Sequence, residues 1–165
     1  MNKRFKTLLW GLLALFVLIQ LFRPARNTGN DQSHHISTQY PVSGEVEAIL
    51  KPACYDCHSN YTEYPWYANI QPVAWWLANH VEEGKRELNF SAFTTRRAAI
   101  QHHKMEEVIE MVKESKMPLA SYTWVHRDAI LSDVQKGTLV SWAEGVMDSM
   151  KRRYPPDSLV MKRRR

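Results

Sequence analysis

The segment Cys54-Tyr55-Asp56-Cys57-His58 constrains this chain more than any other feature. It holds the only two cysteines among 165 residues, with a histidine directly after the second. C-x-x-C-H is the attachment signature of c-type haem. The reason is geometric. Positions i and i+3 of a helical turn share one side, so two thiols at that spacing can meet the two vinyl groups on one edge of the ring. His58 follows directly and can turn its imidazole to the iron. Other uses of a cysteine pair fit less well. A zinc site needs four ligands, and the chain has no second cysteine pair and no zinc-like histidine spacing. A thioredoxin-like pair belongs in a βαβ setting, and no segment alternates like a strand. A short-range disulfide stays open as a rival.

A haem iron held by protein on both faces transfers electrons, whereas an open face binds a gas or a peroxide. The second axial ligand therefore decides the function. Met117 is the first expectation. It lies 59 residues after His58, in Lys116-Met117-Pro118 at the end of a helical pattern. Pro118 stiffens that loop. His80 and His126 are the alternatives. Trp66, Tyr67, Trp75, Trp76, Tyr122 and Trp124 are expected to pack around the haem, and Lys85, Arg86 and Lys116 are candidate partners of its propionates. An enzyme is not expected. Peroxidase chemistry needs a distal acid–base residue beside an open iron, and the only histidines suited to it, His80 and His126, are already the rival ligands.

The N-terminus reads as an address. Met1 to Lys6 is basic, and Leu8 to Phe22 is a 15-residue apolar run interrupted only by Gln20 among polar residues. As a helix it covers roughly 22 Å, short of a ~30 Å hydrocarbon core, and Lys6 and Arg23 can close the gap by snorkelling. No small-x-small cleavage site follows, so residues 1–26 read as a retained signal-anchor ahead of a cleaved signal. Charge divides along the chain: +5 over residues 1–26, −6 over 27–150 and +6 over 151–165. An acidic domain repels phosphate backbones, which argues against nucleic acid as a partner.

Residues 27–43 lack apolar periodicity and read as a flexible tether that includes His34 and His35. From 44 to 154 the pattern is all-α. Helices are expected over Glu45–Ala53, Val73–Glu83 with Gly84 as its C′ residue, Arg96–His103 capped by Thr94 or Thr95, a segment through Met105, Val108, Ile109 and Val112, and Asp133–Met150 capped by Ser132. Residues 155–165 read as a basic tail.

Taken together, Cys54-Tyr55-Asp56-Cys57-His58-Ser59-Asn60, Tyr64-Pro65-Trp66-Tyr67, Pro72-Val73-Ala74-Trp75-Trp76 with His80 and Gly84, Leu88-Asn89-Phe90-Ser91 and Lys116-Met117-Pro118 resemble the bacterial haem-binding domain family of cytochrome-c-like proteins. The resemblance spans roughly residues 40–150. It implies a small helical domain around one covalently attached haem c, tethered at the bacterial inner membrane and facing the periplasm. Electron transfer to an unidentified redox protein is the natural extension. A haem-based sensor with a displaceable sixth ligand is the alternative.

Overall fold

The computed structural model describes residues 2–161, which form helices joined by short 3₁₀ turns, with no strand among the described residues. The all-α expectation holds. Helix α1 (Lys3–Ile19) projects from the domain with no buried residue. Its 17 residues span about 25 Å. Among the described residues no helix is long and apolar enough to cross a membrane, so the expected spanning helix is not found. Gln20 ends α1. Its side-chain amide donates back to Phe16 O, and its Oε1 accepts from the Gln71 N–H, 51 residues away.

Helix α2 (Gly44–Leu50) starts at Ser43, whose hydroxyl accepts from the Val46 N–H. Pro52 then falls where the helix would continue. Proline has no N–H, and its ring meets the carbonyl one turn back. The chain widens into a single π turn, Lys51–Tyr55, before α3 (Asp56–His58). Such turns recur at functional sites, and this one carries Cys54. Helices α4 (Val73–Glu87), α5 (Ala98–Lys113), α6 (Ala120–Thr123) and α7 (Asp133–Arg153) follow. Ser132 and Gln135 close the expected N-terminus of α7 with a reciprocal capping box.

The core lies between α5 and α7. They run antiparallel, Ser115 after α5 meeting Lys136 near the start of α7, with His102 and Tyr154 close at the other end. Met105 and Val112 of α5 bury against Leu139, Val146 and Met150 of α7. Val46, Ile49 and Leu50 of α2 and Phe90 and Phe93 of the turn after α4 close the sides.

Four expectations need correction. Residues 27–43 are not a loose tether. Ile36 and Tyr40 are core residues, and the Tyr40 hydroxyl donates to buried Gln101. Asn27 donates from its side chain to Ser59 O and Thr62 Oγ1, and its carbonyl accepts from the Thr62 N–H. Two apolar side chains and one amide dock a stretch whose composition looks solvated. The C-terminal segment also folds back, through a turn at Pro156–Ser158 that packs Leu159 on the core. Lys162–Arg165 of the expected tail lie outside the described residues. Thr94 and Thr95 do not cap a helix, because they complete the 3₁₀ turn Phe90–Thr95, and α5 runs unbroken from Ala98.

Gly84 is the fourth correction. It does not stop α4, which continues to Glu87. The missing side chain serves a contact instead. A Cβ at Gly84 would lie 2.6 Å from Cys57 O and 3.0 Å from Cys57 Cβ. Neither can yield without moving the haem motif. Gly84→Ala is therefore expected to destabilise the chain by about 1–3 kcal/mol, as overpacked sites do. Gly145→Ala, on an exposed part of α7 with nothing within 4 Å, is expected to stabilise it by about 0.5–1 kcal/mol. Chemical denaturation followed by circular dichroism measures both, and equal effects would remove the packing argument.

Candidate functional site

One cavity of about 300 Å³ gathers residues from both sides of the C-x-x-C-H motif. Cys54 and His58 lie on one side. Met111, Met117 and Val108 come from α5 and the loop behind it, and Leu50, Leu88 and Leu139 complete apolar walls. Glu87, Lys104 and Glu107 also border the cavity. Lys104 Nζ donates to Glu87 at 3.0 Å and to Glu107 at 2.6 Å.

His58 is held by the backbone of α4. Its Nδ1 lies 2.9 Å from Gly84 O and 3.0 Å from Leu88 O. Both partners are acceptors, so Nδ1 carries the proton and Nε2 keeps a lone pair. Burial lowers the imidazole pKa, and the two carbonyl bonds oppose that shift. A neutral imidazole with its outer nitrogen tied to carbonyls is the usual state of a metal-binding histidine. The Gly84 carbonyl can reach His58 because Gly84 lets α4 press against Cys57.

The two cysteines are free thiols. Burial, with Cys57 beside it, pushes Cys54 up to about 12. Burial, with Asp56 beside it, pushes Cys57 up to about 11. Both stay protonated at neutral pH, where a thiol is a poor partner for disulfide exchange. Cys54 borders the cavity, while Cys57 packs against Gly84.

Met117 reaches the cavity through the end of α5. The Ser115 N–H donates to Val112 O, and the Lys116 N–H donates to Met111 O at 2.9 Å. These are the two bonds of a Schellman cap. The residue that turns left-handed there is Ser115, with φ 55°, where glycine is the usual choice. The turn leads Met117 back toward the helix, and its N–H also donates to Met111 O.

The other expected site residues lie elsewhere. His80 packs on Trp76 with ring centroids 4.2 Å apart, and its Nδ1 bonds Trp76 O. His126 stacks on Tyr122 and bonds the Tyr67 hydroxyl at 2.7 Å. Neither borders the cavity. Trp66, Tyr67, Trp75, Trp76, Tyr122 and Trp124 do not line it either, and the four tryptophans are exposed. The apolar wall is aliphatic and thioether instead, with Phe90 contributing an aromatic ring. Tyr122 still serves the motif from behind, where its hydroxyl donates to Pro52 O at 3.0 Å and Asp56 Oδ2 at 2.8 Å. Lys85 is turned to Asn27 and Lys116 to Glu114, so Lys104 is the lysine at the cavity. Sequence reasoning missed Lys104 and Met111. The signal for Met111 was its position three residues after Val108, on the same helix face.

The model of the haem-binding domain family matches residues 14–145. The chain belongs to the haem-binding domain family. No curated protein and no solved structure matches it. The cavity suits the group that this family binds. It offers a neutral imidazole with one free nitrogen, two thioether sulfurs, a cysteine thiol and apolar walls, with Lys104 paired to Glu87 and Glu107 at its border.

Tyr122→Phe tests the support behind the motif. It removes both hydroxyl bonds from a partly buried position, and a loss of about 1–3 kcal/mol is expected. Unchanged denaturation midpoints would show that Tyr122 does not brace Pro52 and Asp56.

Proposed function

We propose that this member of the haem-binding domain family is a monohaem c-type cytochrome, tethered to a bacterial inner membrane by residues 1–26, that carries electrons on the periplasmic side. The observation that carries the reading is the meeting of Cys54, His58 and Met117 on one apolar cavity, with His58 Nδ1 bound to two carbonyls. When bound, the haem supplies one-electron chemistry at its iron.

The chain's own residues do the rest. Cys54 and Cys57 would hold the haem as thioethers, and His58 through Nε2 and Met117 through its sulfur would be the protein's donors to the iron. Met111 is the competing thioether. The apolar walls limit water access, which raises a reduction potential. Lys104, paired with Glu87 and Glu107, borders the same cavity. Residues 1–26, with five basic side chains and no acid, suit export and retention at a membrane. The electron partner is a redox protein that meets the haem edge.

The test uses full-length protein produced in a bacterium able to attach haem. Haem staining after denaturing electrophoresis is expected for the parent chain and lost in the Cys54→Ser, Cys57→Ser double variant. Met117→Ala is expected to lower the reduction potential and to let carbon monoxide bind the reduced protein, while Met111→Ala does neither. Reversed behaviour of the two variants transfers the ligand role to Met111. Fast carbon monoxide binding by the parent chain would sink electron transfer in favour of a ligand-binding sensor.

A further inference from the structure

Residues 64–81 contain no Asp, Glu, Lys or Arg, although residues 27–150 as a whole carry 16 acids. Within that neutral stretch Trp66, Ile70, Val73, Trp75 and Trp76 are exposed, Trp66 to 76%. Exposed apolar residues scattered singly are ordinary, but a cluster marks a contact surface.

The same stretch is where α1 joins the domain. The Gln71 N–H donates to Gln20 Oε1 at 2.9 Å. Gln71 Nε2 and Trp75 Nε1 both donate to Phe22 O at 2.8 Å. Arg26 donates to Asn69 Oδ1, and its guanidinium lies 5.0 Å above the Tyr64 ring. Leu21 and Phe22 are exposed at this joint. Trp75 thus ties the tryptophan-bearing stretch to the Leu21-Phe22 step at the foot of the apolar helix. Arg23 and Arg26 stand on the helix side of this joint, and Glu63, Glu82 and Glu83 flank the stretch in sequence.

We propose that the tryptophan-bearing face at the foot of α1 docks on an anionic lipid bilayer, with Trp66, Trp75 and Trp76 at headgroup depth. This rests on the reading that α1 enters the membrane. Tryptophan favours the interface because its ring is apolar and its N–H is polar. Arg23 and Arg26 complement lipid phosphates. Apart from the basic end of α7 at Lys151–Arg153, the rest of the domain is acidic and is repelled by the same surface, which favours turning this neutral face down. The length of α1 fits too. A helix of about 25 Å is shorter than a ~30 Å hydrocarbon core, and a short helix draws its flanking residues into the interface.

The experiment places a photo-crosslinking diazirine amino acid singly at Leu12, Trp66, Trp76 and Glu144 of the full chain. Each protein is reconstituted in nanodiscs of phosphatidylcholine and phosphatidylglycerol and irradiated, and its lipid adducts are measured by mass spectrometry. Adducts at 12, 66 and 76, several-fold above the exposed α7 position 144, support the proposal. Adducts at 12 without adducts at 66 and 76 overturn it and leave the membrane tether standing. Absence of adducts at 12 as well overturns both. Irradiation in intact membranes that joins 66 and 76 to a protein in place of lipid assigns the face to a partner and overturns the proposal.

Discussion

The bond from His58 Nδ1 to the carbonyls of Gly84 and Leu88 is the contact on which the cavity depends. It ties the motif to a helix that starts 15 residues later in the chain. It also sets which ring nitrogen is left for a metal. The bond needs α4 to lie against the backbone of Cys57, and no residue with a Cβ allows that approach. Leu88 and Phe90 follow directly from α4 and become cavity wall. One hydrogen atom in place of a methyl group therefore holds His58, its tautomer and one side of the pocket in register.

The motif itself was legible because its chemistry is local. Cys54, Cys57 and His58 sit within one turn and a half of chain, and spacing alone constrains them. Met117 was legible for a similar reason, since a helix end followed by proline marks a fixed loop. Gly84 was read in the right place with the wrong meaning. Glycine near the end of an apolar pattern signals a C-cap, and a sequence does not reveal a backbone approaching from 27 residues away. Residues 27–43 failed on the same ground. Their docking depends on Ile36, Tyr40 and the amide of Asn27 finding partners far along the chain.

The aromatic residues show where density misleads. Large rings mark burial or an interface, and nothing in the pattern of Trp66, Trp75 and Trp76 separates the two. For Trp75 and Trp76 the placement follows from α4 itself, where Ala74, Leu77 and Val81 take the buried face and leave these two on the opposite side. Trp66 belongs to the separate turn Trp66–Asn69. The cavity is lined chiefly by leucine, valine, methionine and Phe90, apolar side chains without polar groups of their own to satisfy, with Glu87, Lys104 and Glu107 at its border.

The joint between α1 and the domain has no slack. Gln20, Phe22, Arg26 and Asn27 are each bonded to residues between Ser59 and Lys85. A body on a loose leash sweeps a hemisphere and trades precision for reach. A body clamped at its stalk holds one attitude, so the opening beside Lys104 keeps a constant height and heading relative to α1. Any molecule that exchanges something through that opening must arrive along the course the stalk dictates, and the search for it loses rotational dimensions before the first collision.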